Sequence, residues 1–272
     1  MVYDVYIIHC IWCIYTMIGV HVHKGSHKTY DAAILAATET YNTNVVQIFV
    51  TNPRSYTQIG MKHDNIAALV GDKNLRVYIH ASYVCRPWTA GLGRDRSLES
   101  LRHDVAACEK LDARGVIVHL PVCVGKLDEV FAQFPQNAPI ALEMVATRSP
   151  NNYSNPAVLS VLPYKICVDT AHLWSMNVNM RHRNTVQLWL DAMKGRIMMF
   201  HLNGSCELIG SGKDKHAVPF SKNDKIWGRV KYSGSSCELL VLYAHEYGID
   251  MVVENNAEPP EHVSKFLMMA GQ

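Results

Sequence analysis

The chain has 272 residues, 49% of them hydrophobic and 18% charged, with 26 Lys and Arg against 24 Asp and Glu. That much apolar material excludes a disordered or low-complexity chain. A formal net charge of only +2 excludes a protein that coats nucleic acid through bulk charge. Against this ordinary balance stand 14 His and 8 Cys, which direct attention to metal or thiol chemistry.

The chain opens on an apolar stretch, residues 5–20, shorter than the ~20 residues that span a bilayer. It carries Asp4 and no basic leader, so it reads poorly as a signal peptide. Met17 stands just before a clean first strand. The expected organisation is therefore an extension at 1–16 and one folded domain at 17–272. Cys10 and Cys13 form the only CxxC, and no second pair follows to make a zinc or redox motif. The other cysteines are scattered and several lie in apolar runs. They read as buried free thiols of a protein kept in a reducing, intracellular compartment, cytoplasm or nucleus, and not secreted.

Short apolar runs then alternate with helical stretches. Strands are predicted at 18–22, 45–50, 76–81, 116–120, 139–143, 165–169, 197–203 and 250–254. Helices are predicted at 30–41, 100–113, 185–193 and 238–247. Near-continuous apolar runs are the pattern of parallel strands buried on both faces. Repeated strand-then-helix gives a parallel sheet, and eight strands favour its closure into a single-domain α/β (β/α)8 TIM barrel.

The polar residues at the strand ends carry the chemistry. His80, His119, Glu143, Asp169, His201 and Glu254 each stand at or next to the C-terminal end of a predicted strand, where such barrels build their active sites. A buried carboxylate there needs a cation or a partner to offset its desolvation. Two loop motifs add ligands: His172 follows Asp169 by three residues, and Asp214 and His216 form a DxH. These nine N and O donors suit Zn2+, with Mn2+ as a substitute. They are too many for one ion and suit two or three that share a carboxylate.

In its wording the chain resembles the endonuclease IV family of apurinic/apyrimidinic (AP) endonucleases. The match is most specific in 167–174 (CVDTAHLW), in 201–205 (HLNGS) and in 210–216 (GSGKDKH). Residues 18–22 (IGVHV), 47–49 (QIF) with 52–54 (NPR), and 79–83 (IHASY) add weaker matches. The wording is closest to the short forms carried by large cytoplasmic DNA viruses. The resemblance implies three zinc ions: one on His80, His119 and Glu143; one bridged by Glu143 to Asp169, His201 and Glu254; one on His172, Asp214 and His216. It also implies hydrolysis of the phosphodiester 5′ to an abasic site in double-stranded DNA, leaving a 3′-hydroxyl, with 3′-end trimming as an accompanying activity. Arg54 and Tyr83 would penetrate the duplex. A monomer without membrane or obligatory protein partner is expected. Departures from the family wording are Gly204 for a usual Asp, Cys206 for a common Lys, Met144 for a small polar residue, His23 for a usual Ser, and Ala-Val-Pro-Phe in place of a glycine-rich tail after His216.

Twelve basic residues are expected in loops around the mouth, as a rim for phosphate contacts: Lys24, Lys28, Arg54, Arg86, Arg94, Arg96, Arg181, Arg183, Lys213, Lys215, Lys222 and Lys225. The rival readings are a xylose-isomerase-like sugar isomerase or epimerase on the same barrel, which needs only one or two ions, and an inactive DNA-binding barrel.

Overall fold

The computed structural model of the chain describes residues 17–125, 127–135, 137–254 and 259–271. The expected extension at 1–16, with Cys10 and Cys13, lies outside the described residues. Eight parallel strands close into a barrel in the order β1 (Ile18–His21), β10 (Asp250–Val253), β7 (Ile197–His201), β6 (Lys165–Asp169), β5 (Ile140–Glu143), β4 (Gly115–His119), β3 (Arg76–His80) and β2 (Val45–Ile48). The TIM barrel read from the sequence is the observed fold.

Around the barrel run α1 (Tyr30–Tyr41), α2 (His63–Lys73), α3 (Leu92–Lys110), α4 (Asp128–Phe131), α5 (Pro156–Ser160), α6 (Thr170–Ser175), α7 (Arg183–Ala192), α8 (Ser236–Tyr247) and α9 (Pro260–Ala270). Helix α3 starts eight residues before its predicted start at 100 and ends three before its predicted end at 113. Helix α8 starts two residues before its predicted start because Ser235 caps it, accepting from Glu238 N at 3.1 Å. A two-stranded antiparallel ribbon, β8 (Gly204–Ser205) with β9 (His216–Ala217), stands after β7 and has no counterpart in the predicted elements.

Side-chain parity places the site. Val45, Tyr78, Ile117, Ala141, Cys167, Met199 and Val252 form a small buried cluster of their own, one residue from each of seven strands. Side chains alternate along a strand, so the residue two positions further on shares the same face. Those residues are Gln47, His80, His119, Glu143, Asp169, His201 and Glu254. The polar residues thus sit as a layer above an apolar plug. At the other end Asp250 takes Tyr78 Oη at 2.9 Å and Arg76 Nη1 at 3.1 Å, so the charge buried at the floor is paired.

Candidate metal centre

The local sequence explains how Asp169, His172 and Asp214 are aimed. Asp169 ends β6 and is the N-cap of α6, its Oδ1 accepting from His172 N at 2.8 Å. The cap therefore fixes His172 on the first turn and leaves Asp169 Oδ2 facing the barrel mouth. The loop that carries Asp214 is anchored on the end of the same helix: Gly210 N donates to Trp174 O and Gly212 N to Ser175 O, both at 3.0 Å. Gly212 has φ +64°, and a Cβ there would lie 2.3 Å from Arg148 Cγ, so only glycine fits this close approach. His216 arrives from the other side, on β9.

All nine predicted ligands converge. The Glu143 carboxylate lies at the centre and is 1% exposed. Its Oε2 faces His80 Nε2 at 3.2 Å and His119 Nε2 at 3.3 Å. Its Oε1 faces His201 Nδ1 at 3.0 Å and His172 Nδ1 at 3.3 Å. Glu254 Oε2 lies 3.0 Å from the same His201 nitrogen. On the outer side, Asp214 Oδ2 is 3.4 Å from His172 Nε2, and Asp214 Oδ1 is 3.0 Å from His216 Nε2. Asp169 Oδ2 reaches His216 Nε2 at 3.4 Å. Ligand atoms of Glu143, Asp169, His201 and Glu254 gather within 4.8 Å of one another, as do those of Asp169, His172 and His216, and those of His80, Glu143 and His201.

The electrostatics fit a cation centre. Burial opposes a proton on His172, yet Asp169 and Asp214 outweigh it and hold its pKa well above the ordinary value. For His216 burial likewise loses to Asp169 and Asp214, and its pKa rises to about 9. Burial of His201 loses to Cys167, Glu254 and Glu143. Burial of Glu143 opposes ionisation, but His201 and His119 hold it ionised, with its pKa well below the carboxylate range. The cavity thus favours positive charge, which bound divalent ions would supply in place of protons. The buried Nε2 atoms of His172 and His216 face carboxylates without satisfying hydrogen-bond geometry, which is unfavourable for buried polar atoms unless a cation lies between them.

Beside the centre opens a cavity of about 500 Å³, walled by Trp88, Pro121, Val122 and Val145, with Tyr83, Arg86, His119 and Asp214 on its border. Tyr83 is 45% exposed and stacks on His119, with ring centroids 5.6 Å apart. Partial burial, then Glu254 and Glu143, push its pKa further up, so the phenol keeps its proton. The exposed Arg54 lies in the neighbouring loop. Tyr83 N donates to Pro53 O at 3.0 Å, and Ser82 Oγ to Ser55 O at 3.0 Å, so the two loops are tied to each other.

The basic rim needs correction. Arg94 and Arg96 lie inside α3, and Arg183 begins α7, because both helices start earlier than predicted. Arg94 pairs with Glu129 at 2.9 Å, and Lys213 and Lys215 both reach Glu207. Arg181 donates to Ile226 O at 2.8 Å and stacks over Trp174. These cations are partly spent on the protein itself. Sequence reasoning assigned no site role to Gln47 or His21, which also lie against the cluster. Gln47 Nε2 is 3.0 Å from His21 Nδ1. Burial pushes the His21 pKa down to about 4, against the pull of Glu254, so this imidazole is neutral. The signal for Gln47 was present: an amide in an apolar strand, two residues after the plug residue Val45.

No family model matches the chain. A probable AP endonuclease of African swine fever virus (isolate Tick/Malawi/Lil 20-1/1983) is 26% identical over 242 residues, 77% of this chain and 78% of the relative. A probable endonuclease 4 of Mycobacterium leprae is 28% identical over 214 residues, 71% of this chain and 81% of the relative. In fold, the crystal structure of AsfvAP:AG covers 93% of this chain and 96% of its own at a TM-score of 0.78 and 20% identity. Endonuclease IV of Thermus thermophilus gives 0.74, also at 20% identity, over 93% and 98%. A D-tagatose 3-epimerase-like protein gives 0.60 at 13% identity. The sequence relatives and the nearer barrels agree: this chain resembles the endonuclease IV family of AP endonucleases over most of its length.

Proposed function

We propose that this chain is a metal-dependent DNA repair hydrolase that cleaves the phosphodiester 5′ to an abasic site. One observation carries the reading beyond the sequence resemblance: Glu143 presents each of its two oxygens to a different pair of imidazoles. Three divalent ions would be held by His80, His119 and Glu143; by Glu143, Asp169, His201 and Glu254; and by His172, Asp214 and His216. Nitrogen and oxygen donors without thiolate suit zinc, with manganese as a substitute. Ions bound there supply charge neutralisation on the phosphate and lower the pKa of water.

The chain's own residues do the rest. The pinned loops of Arg54 and Tyr83 enter the duplex where a base is missing, since an abasic nucleotide has already lost its stacking. The cavity beside Tyr83 and Trp88 takes the extruded sugar and keeps bulk water away. Glu143 stays ionised at the centre and orients the attacking water toward phosphorus. The P–O3′ bond breaks, the water oxygen joins phosphorus, and a proton passes to the departing oxygen. The products are a 3′-hydroxyl and a 5′-deoxyribose phosphate. The outer ligand set, His172 with Asp214 and His216, is more than a sugar isomerase needs, which disfavours that rival. No helix among the described residues is long and apolar enough to cross a membrane. Cys85, Cys108, Cys167 and Cys237 are buried and unpaired, which suits work in a reducing compartment. We take the enzyme to act as a monomer.

The deciding experiment is incision of a duplex oligonucleotide with one synthetic abasic site, with and without chelator, beside elemental analysis of the protein. More than two divalent ions per chain, mainly zinc, and chelator-sensitive nicking are expected. One ion or none in a folded, chelator-free sample rejects the three-ion centre.

Removal of Tyr83 separates DNA reading from chemistry. Stacking of a base on an aromatic ring is worth ~1–3 kcal/mol, so Tyr83→Ala is expected to lower kcat/KM on abasic duplex by roughly tenfold to a hundredfold. Metal content and hydrolysis of a small activated phosphodiester are expected to hold. Equal loss on both substrates would mean that the centre itself has collapsed.

A further inference from the structure

We propose that Gln47 is the positioning residue of this centre: it decides which nitrogen of His201 faces the ions and holds the Glu254 carboxylate in place. The proposal rests on the metal-dependent reading above. Gln47 lies on the inward face of β2 and is fully buried. An amide inside an apolar barrel is costly unless each of its polar atoms is bonded, and here each is. Its Nε2 donates to Glu254 Oε1 at 2.5 Å and lies 3.0 Å from His21 Nδ1. Its Oε1 faces His201 Nε2 at 2.8 Å.

Donor and acceptor logic then runs in one direction. An ionised carboxylate only accepts, so the amide nitrogen must face Glu254. A flipped amide would set its carbonyl against that carboxylate. The amide oxygen is thereby committed to His201, and it too only accepts, so His201 Nε2 must carry a proton. The other nitrogen, Nδ1, is the one 3.0 Å from both Glu143 Oε1 and Glu254 Oε2. Gln47 therefore leaves a lone pair available on the nitrogen between the two carboxylates once the Nδ1 proton is displaced.

A second amide braces the far side. Asn203 Nδ2 donates to Asp169 Oδ2 at 2.8 Å and to Glu254 Oε2 at 3.3 Å, and Asn203 Oδ1 accepts from Glu254 N at 2.9 Å. Glu254 is thus gripped at one oxygen by Gln47 and at the other by Asn203. Of the two amides only Gln47 reaches His201, at Nε2, so the tautomer assignment rests on it and not on Asn203. Partners that orient ligands in this way are typically worth 10–100-fold in metal affinity or activity.

The test uses the full chain and Gln47→Met, which keeps length and shape and removes every hydrogen bond. Zinc is titrated into stripped protein against a chromogenic competing chelator. One ion is expected to bind roughly 10–100-fold more weakly than in wild type, with the others unchanged. On abasic duplex, kcat is expected to fall while KM holds, a split that loosened packing would not produce. Nitrogen NMR of the zinc-loaded wild type with labelled imidazoles gives an answer that does not depend on the variant folding. His201 Nε2 is expected to be protonated and slow to exchange, with Nδ1 coordinated. A coordinated Nε2, or wild-type affinity for every ion in folded Gln47→Met, overturns the proposal. Wild-type protein that binds no more than one zinc overturns the three-ion reading beneath it.

Discussion

Glu143→Gln is expected to reduce incision of abasic duplex at least about a thousandfold, because it removes several kcal/mol of electrostatic stabilisation from the transition state. The reason is visible in the two faces of the carboxylate. Oε2 serves His80 and His119; Oε1 serves His201 and His172. Glutamine has the same shape but no charge and only one accepting oxygen. One pair of imidazoles would then face an NH2 group, and a cation on that side would lose its shared ligand. The barrel should survive, since the apolar layer beneath the site is untouched. The measurement is nicking of a duplex with one abasic site, with circular dichroism and elemental analysis on the same sample. A fall of at least one ion per chain is expected alongside the lost activity. Near-normal incision by a folded Glu143→Gln would place the chemistry elsewhere.

The parts of this molecule that were legible in the sequence follow period two. In seven of the eight strands a residue fills the plug and the next residue on that face reaches the mouth, so Ile117 with His119, or Met199 with His201, is readable without coordinates. Asp169 and His172 were readable for a different reason, since the N-cap that aims them is local. Gln47 follows the same parity but stands out less, because an amide carries no charge and is a rarer zinc donor than imidazole, carboxylate or thiolate. Its importance lies in contacts with residues 154 and 207 positions away. The fate of the basic residues was also hidden. Whether Arg94 is a free rim cation depends on where α3 begins and on Glu129 from the next helix. Neither follows from the charge of the residue.

The family wording places Asp where this chain has Gly204, and the structure supplies the physical reason. A Cβ on Gly204 would lie 2.5 Å from Asp224 Cγ and 2.6 Å from its Oδ1. Asp224 is 3% exposed and accepts from four backbone N–H groups: Ser205 at 3.2 Å, Phe220 at 2.9 Å, Ile226 at 2.7 Å and Trp227 at 3.0 Å. A carboxylate from another part of the chain thus fills the space beside position 204 and ties the 220–227 loop to the ribbon whose second strand starts at His216. Gly204→Asp is therefore expected to damage the protein, although it restores the family's residue. It adds overpacking, worth about 1–3 kcal/mol, to a second buried negative charge against the first. A combined loss of about 3–5 kcal/mol is expected, near the exceptional end for a single substitution. Thermal melting of the metal-stripped protein reads it directly, and zinc titration should show weaker binding at the set that includes His216. Asp224→Ala alone should also destabilise, because four backbone donors lose their acceptor. The double variant Gly204→Asp/Asp224→Ala should be more stable than the sum of the two losses implies, since the new carboxylate enters the space that the old one vacated. Strict additivity of the two losses would show that the close approach between 204 and 224 is not what excludes a side chain there.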